Sequence, residues 1–223
     1  MFVIEQLLPR DEALALGRAI AEADWVDGNA TSGPGAALAK RNRQLPEHGA
    51  VAARARGRVQ AALAGSALFL SAALPRAIFP PLFNRYGPGE RFGLHVDNAI
   101  RVEPVTGIQM RTDLSATLFL SDDYDGGELV ISGMGGPSRL RLPAGDMVLY
   151  PATTLHEVTE VTRGERLACF FWLQSLVRDH AMRETLFDLD QSVQALSAER
   201  GAKDPQVLRL TKVYHNLVRD CAD

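Results

Sequence analysis

A mainly β protein with helical flanks is the fold class that the sequence predicts, on three observations. From Ala77 to Ser175 short apolar runs are punctuated by turn residues, which argues for an antiparallel sandwich or barrel. Before and after that stretch, apolar residues recur at spacings of three and four, the period of helices packed by one face. Within it, alternation sets Arg166, Ala168, Phe170 and Trp172 against Leu167, Cys169 and Phe171. Both faces of that segment are largely apolar, as in a strand buried on both sides.

Taken in order, Phe2 to Ile4 reads as a strand, and Pro9 with Asp11 opens a helix carrying Leu14, Leu16 and Ile20. Residues 27 to 48 are rich in Gly, Pro, Asn and charge, with Thr31-Ser32-Gly33-Pro34-Gly35 at the centre. A mobile loop is expected there, of a length often used as a lid or substrate-binding element. A helix from about Glu47 to Ala64 follows, with Val51, Ala55, Val59 and Leu63 near helical spacing. The uncharged stretch Val59 to Leu74 is broken by Gly65 and falls short of the roughly 20 apolar residues a membrane span needs. It reads as a buried helix running into a loop.

Asp125-Gly126-Gly127, between two apolar runs, supplies positive φ angles for a hairpin turn. Gly133-Met134-Gly135-Gly136-Pro137 reads as a hairpin loop, since no strand-to-helix pattern surrounds it as a phosphate-binding loop requires. After Arg178 two amphipathic helices are expected, one with the stripe Met182, Leu186, Leu189, Val193 and Leu196, the other with Val207, Leu210, Tyr214, Leu217 and Val218. The first stripe is expected to dock on the barrel, with Leu167, Cys169 and Phe171 as an apolar landing face; the second, with Leu210, Tyr214 and Leu217, is left for the first helix or a second subunit, and a homodimer is expected. The organisation expected is thus flanking elements over 1–76, a core over 77–177 and a helical extension over 178–223.

Composition bounds the partners. A chain of 223 residues with 46% hydrophobic content can bury a proper core. A net charge of −3, with arginines interspersed among acids, gives no basic stripe for nucleic acid. The N-terminus meets Glu5 and Pro9 before any long apolar run develops, so no export signal is read. Two cysteines, Cys169 and Cys221, suit a reducing compartment without a disulfide framework, and a cytoplasmic location is expected.

The chemistry is concentrated in His95-x-Asp97, with His156 far downstream and Arg166 ten residues beyond it. Residues i and i+2 of a strand point to one face, so an imidazole nitrogen and a carboxylate oxygen can grip the same ion. His156, beside another β-rich run, can supply a third ligand. Two histidines and a carboxylate leave three positions of an octahedron open, as in non-haem Fe(II) oxygenases and unlike a closed structural zinc site. His180 and His215 fall in helical patterns and His48 in a polar loop, where solvated or capping roles are expected. Arg166 enters a strand buried on both sides and needs an anion, whose carboxylate its fork would hold bidentately. A salt bridge to an Asp or Glu of the chain is the competing reading.

Three ordered stretches carry a family resemblance. They are Phe83-Asn84-Arg85-Tyr86-Gly87-Pro88-Gly89-Glu90-Arg91-Phe92-Gly93-Leu94-His95-Val96-Asp97, then Leu118 to Leu129 with its Asp125-Gly126-Gly127, then Pro143-Ala144-Gly145-Asp146 and His156 to Arg166. Together they resemble the Fe(II)/2-oxoglutarate oxygenases of the prolyl-hydroxylase type and, more narrowly, the bacterial PKHD-type hydroxylases, over about Ile78 to Leu176. The segment Gln174 to Asp179 and the helical tail are similar to that bacterial subgroup as well.

The resemblance implies a double-stranded β-helix, or jelly-roll, core. It implies His95, Asp97 and His156 as iron ligands, Arg166 on the distal carboxylate of the co-substrate 2-oxoglutarate, and L-ascorbate as a reductant. Tyr86 stands where related enzymes often place a hydroxyl on the same carboxylate, with a core tyrosine as the alternative. The implied reaction hydroxylates an unactivated C–H bond of a prolyl or small-molecule substrate, releasing succinate and CO2. Two other classes stay open: a cupin-like isomerase or ring-cleaving dioxygenase without 2-oxoglutarate, against which Arg166 speaks, and a non-catalytic binding module, which would be expected to lack a ligand or the arginine.

Overall fold

The computed structural model describes residues 1–31, 40–103 and 106–223. The chain begins with β1 (Phe2–Ile4), α1 (Arg10–Ala21), β2 (Val26–Asp27), a 3-10 turn (Gly28–Thr31), β3 (Lys40–Arg41) and β4 (Arg43–Gln44). Next come α2 (Ala50–Gly65), α3 (Ala67–Ala73), β5 (Pro75–Ile78), β6 (Leu82–Tyr86), β7 (Arg91–His95), β8 (Ile100–Val102), β9 (Gln109–Arg111) and β10 (Leu114–Phe119). The run continues through β11 (Tyr124–Gly126), β12 (Leu129–Ile131), β13 (Ser138–Leu140), β14 (Met147–Pro151), β15 (His156–Val158), β16 (Val161–Gly164) and β17 (Arg166–Ser175). Two helices, α4 (His180–Arg200) and α5 (Pro205–Cys221), close it.

The strands form a larger sheet in the order β1-β14-β10-β17-β6-β4-β2, with β5 also on β17, and a smaller one in the order β13-β12-β15-β7-β3. The pairings in both sheets are antiparallel, as expected for a jelly roll. The two faces of the larger sheet bury two separate cores. Leu167, Cys169, Phe171 and Leu173 of β17 face the helices, in a cluster with Ile20, Val59, Leu63 and Phe69. Tyr86, Phe119, Val148 and Tyr150 face inward toward Leu129, Ile131 and Val158 of the smaller sheet. Each fully buried leucine or phenylalanine contributes roughly 1.5–3 kcal/mol to this assembly.

The helical layer sits close against the sheet. A side chain at Gly17 would collide with the carbonyl of Leu120, so glycine is required there despite its cost of about 1 kcal/mol inside a helix. Helices α2 and α3 divide the apolar stretch at Gly65-Ser66, where Ser66 caps α3 by accepting from the Phe69 N–H at 3.2 Å. Among the described residues no helix is long and apolar enough to cross a membrane.

Four expectations need correction. Gly126 and Gly127 do have positive φ, +71° and +60°, but β11 pairs with β16 whereas β12 pairs with β13 and β15. The glycines therefore make a switch between sheets and not a hairpin turn; the hairpin loop is the Gly133–Pro137 stretch, joining the paired β12 and β13. Residues 27 to 48 are not a free loop throughout. Its centre lies largely outside the described residues, but β3 extends the smaller sheet at β7 and β4 extends the larger at β6, with Lys40, Asn42 and Gln44 buried. The Leu167, Cys169 and Phe171 face is covered by the N-terminal helices and not by the tail.

The tail instead packs on α3 and β1. Phe187 meets Phe2 edge-on at 4.8 Å, and Ser71 Oγ donates to Asp190 at 2.6 Å. Buried Arg183 ties the base of α4 to β17 by donating to the carbonyls of Val177 and Arg178 at 2.6 and 2.9 Å. Val177 also bridges to Ala222, returning the end of the chain to the exit of β17. The fourth correction is local: β7 ends at His95, so Asp97 lies beyond the strand, in the segment leading to β8.

Candidate active site

His95 and His156 face each other across β7 and β15 as direct register partners, with ring centroids 4.2 Å apart. A register shift in β15 between His156 and Val158 marks an irregularity beside the pair, a common device for aiming a side chain. Each ring is fixed by its own backbone: His95 Nδ1 lies 2.8 Å from the Gly93 carbonyl and His156 Nδ1 lies 3.0 Å from the Thr154 carbonyl. A carbonyl oxygen can only accept, so Nδ1 carries the proton in both rings and Nε2 is left with its lone pair. Asp97 closes the group, with Oδ2 at 3.7 Å from His156 Nε2 and accepting from Ser115 Oγ at 2.6 Å. One donor atom from each of the three residues lies within 4.8 Å of the others. Burial, reinforced by the neighbouring His156, pushes the His95 pKa down to about 4, so that ring is neutral and available to a metal near pH 7.

Arg166 opens β17 directly opposite Tyr86 of β6. It is 1% exposed, and none of its three guanidinium nitrogens has a hydrogen-bond partner among the described residues. Its Cζ lies 5.2 Å from the ring centroid of Phe119 and 5.5 Å from that of Tyr86. Gly127 makes room for its stem, because a Cβ there would lie 3.0 Å from Arg166 Cδ. Burial raises the phenol of Tyr86 to about 12 and that of Tyr150 well above its usual range, while the charge of Arg166 pulls both the other way. Both tyrosines are therefore protonated donors at any ordinary pH. An isolated buried cation is costly by several kcal/mol, and among the described residues no carboxylate pairs with it, so the site calls for an anion. Arg163, the nearest alternative in sequence, is engaged on the surface by Asp123 and Asp125 at 2.8 and 2.6 Å.

Both ends meet in one cavity, lined by Tyr86, His95, Asp97, His156 and Arg166 together with Lys40, Ser115, Thr117 and Tyr150. All five residues singled out from the sequence thus share one site, while His48, His180 and His215 are not among its lining residues. The donor set fits a divalent transition metal with open positions, and the partnerless guanidinium fits a carboxylate bound beside it. Four contributors escaped the sequence reading. Ser115 and Thr117 could have been noticed as two hydroxyls at i and i+2 in an otherwise apolar strand. Tyr150 and Lys40 carried no such signal.

Comparison with known proteins agrees with this geometry. Residues 81–174 match the model of the 2OG-Fe(II) oxygenase superfamily. Residues 180–223 match the PKHD-type hydroxylase C-terminal domain. The fold is similar to that of a Pseudomonas putida prolyl-4-hydroxylase, with a TM-score of 0.54 at 21% identity, covering 78% of this chain and 91% of that one. Fold and matched core thus define an Fe(II)- and 2-oxoglutarate-dependent oxygenase. The chain is 60% identical over 206 residues to a PKHD-type hydroxylase of Rhizorhabdus wittichii, covering 92% of this chain and 91% of the relative. It is 58% identical over 226 residues to one of Burkholderia thailandensis, covering 100% and 99%. This chain belongs to the PKHD-type hydroxylase family.

Proposed function

We propose that His95, Asp97 and His156 hold the Fe(II) of this hydroxylase and that Arg166, assisted by the Tyr86 hydroxyl, holds the distal carboxylate of 2-oxoglutarate. The observation that carries the reading is the buried guanidinium, without a hydrogen-bond partner among the described residues, in the same cavity as three converging donor atoms. Iron and 2-oxoglutarate bound there supply oxidative decarboxylation coupled to hydroxylation of an unactivated C–H bond, with succinate and CO2 as co-products. The chain's own residues position and shield. Gly93 and Thr154 fix the two imidazoles, Ser115 orients the carboxylate, and Phe92 stacks on His95 at 3.7 Å. Arg166 and Tyr86 set how deeply the co-substrate sits, with the ring of Phe119 against the guanidinium and that of Tyr150 edge-on to His156.

The substrate is proposed to be a prolyl residue or a small molecule, with ascorbate as the accessory reductant. The division into flanking elements over 1–76, a core over 77–177 and a tail over 178–223 is supported by the two matched ranges. Free Cys169 and Cys221 support a reducing, cytoplasmic setting. A homodimer through the tail is proposed on the α5 stripe with Leu210, Tyr214 and Leu217, which is partly buried where α5 packs on α4, and light scattering at micromolar concentration tests it. The central experiment is comparison of peptide and metabolite pools before and after incubation with Fe(II), 2-oxoglutarate and the enzyme. A gain of one oxygen accompanied by succinate is expected, and dependence on Arg166. Turnover that ignores 2-oxoglutarate would overturn the reading.

A further inference from the structure

Two cations, one lining the same cavity and one stacked on a residue that lines it, are not used by the proposed metal and co-substrate chemistry. Lys40 of β3 lines the cavity and is buried, its Nζ donating to the Gly28 carbonyl at 2.7 Å and lying 5.4 Å above the Phe92 ring that stacks on His95. Arg101 of β8 lies with its Cζ 3.5 Å above the ring of Trp172, another cavity residue, and its Nε is buried without a hydrogen-bond partner among the described residues. The two are near enough that the charge of Arg101 lowers the pKa of Lys40, and both feel Asp97. No ion pair to either is present among the described residues, and the remaining residues, 32–39 and 104–105, contain no Asp or Glu.

Charge accounting makes this pair informative. In the site proposed above, a divalent ion and Arg166 are balanced by Asp97 and the two carboxylates of 2-oxoglutarate, so the reacting centre is formally neutral. Asp97, the acid that Lys40 and Arg101 share, is then engaged by the ion. Asp27, which acts on Lys40, is exposed, and Glu47, which acts on Arg101, makes no ion pair with it. Two like charges, one in the cavity wall and the other stacked on Trp172 of that wall, disfavour a neutral neighbour and favour an anion between them.

Resting on that reading of the site, we infer that the substrate carries an anionic group, a carboxylate or phosphate, held between Lys40 and Arg101 while its reacting carbon faces the metal. The flat guanidinium supplies two parallel donors and Lys40 supplies the N–H groups not used on Gly28. Both are substrate-positioning residues, and they would reject an uncharged analogue.

The test uses Trp172 as reporter, since Trp25→Phe leaves it the sole indole of the chain. The Fe(II)-loaded full-length protein, without oxygen and with 2-oxoglutarate saturating its own site, is titrated with N-acetylglycine, inorganic phosphate, and a capped Gly-Gly-Asp-Gly-Gly peptide. The Asn peptide is the neutral control. A saturable change in Trp172 emission is expected with the anions and none with the Asn peptide. Lys40→Met and Arg101→Met should each weaken it at least tenfold, while Arg101→Lys keeps most of it. The tightest of the three probes tells a metabolite carboxylate, a phosphate and an acidic peptide apart. No saturable response to any anion, an equal response to the Asn peptide, or full affinity in both Met variants overturns the inference. Succinate release by the same preparation in air, and its loss in Arg166→Met, judges the underlying reading separately: Arg166-dependent release without an anion response removes this inference alone, and an anion response with release that ignores Arg166 removes the proposed co-substrate site alone.

Discussion

The two ends of the catalytic cavity solve the problem of buried polarity in opposite ways. At the metal end, His95, Asp97 and His156 are each held by another group of the chain, through Gly93, Ser115 and Thr154. At the far end Arg166 is more deeply buried and has no hydrogen-bond partner among the described residues. The first end is preorganised to receive a cation and is self-consistent without one. The second is unsatisfied until an anion arrives. Preorganisation and frustration of this kind imply different responses to mutation: loss of a ligand removes function with little change in the fold, whereas loss of the arginine removes function and relieves the fold.

The largest effect belongs to the metal end. Replacing His95, Asp97 or His156 by Ala is expected to abolish hydroxylation, by a factor on the order of 1,000 or more, because two ligands cannot hold an open-sided ion against water. Iron titration and succinate release measure it, with circular dichroism to show an intact fold. Full iron affinity in all three variants would remove the proposed centre.

Next is the arginine. Arg166→Met should raise the 2-oxoglutarate KM by about tenfold to a thousandfold, the range for losing a bidentate charged contact, while iron affinity holds. Lys at this position should rescue only in part, since it keeps the charge and loses the fork. The same Met variant, melted without 2-oxoglutarate, should be more stable than the parent, because an apolar side chain replaces an uncompensated buried charge. A lower melting temperature with an unchanged KM would show that the guanidinium has a structural partner and would dissolve the contrast between the two ends.

How much of this was legible in the sequence follows from the same contrast. Short-range periodicity exposes strands and helices, and Arg166 stood out because a charge in a doubly apolar strand is an anomaly a single strand reveals. The triad was legible because its types and order carry their own chemistry. What escaped depended on pairing between distant segments. Gly126-Gly127 resembled a hairpin because sequence shows two neighbouring strands but not which partners each takes. Residues 40–44 looked like loop because strands of two residues have no period to detect, yet they extend both sheets and bring Lys40 to the site. The landing face on β17 was correctly read as apolar and assigned to the wrong helices, since the stripes of α1, α2, α4 and α5 are chemically alike.

A smaller effect tests whether support around the metal end is energetic or incidental. Ser115→Ala removes the 2.6 Å hydrogen bond to Asp97 Oδ2 and leaves the ligand itself. Outer partners of this sort commonly contribute 10–100-fold in metal affinity. A weakening of about tenfold in iron titration, with the 2-oxoglutarate KM unchanged at saturating iron, is expected. An unchanged iron affinity would mean that Asp97 is oriented by its backbone alone.

The smallest expected effect is a pH dependence of the metal-free protein, and it comes from the one place where the preorganised end is itself under tension. Burial and the facing His156 lower the His95 pKa to about 4, against roughly 6.5 for an unfolded chain. Between those values the unfolded chain takes up a proton at this ring that the folded protein refuses. By linkage, stability falls as the pH falls through that window, and the loss is complete below about pH 4. Above about 6.5 the ring is neutral in both states and contributes no slope. Melting temperatures of the metal-free protein from pH 4 to 7 should therefore decline more steeply for the parent than for His95→Gln, which has no titrating ring, with the two curves parallel above 6.5. Bound iron competes with the same proton, so loading the metal should lift the parent's curve most near neutral pH and lose its advantage toward pH 4. Equal slopes for parent and variant would mean that the imidazole pair shares its proton at no cost to the fold, and that the metal end is as indifferent to an empty site as its hydrogen bonds suggest.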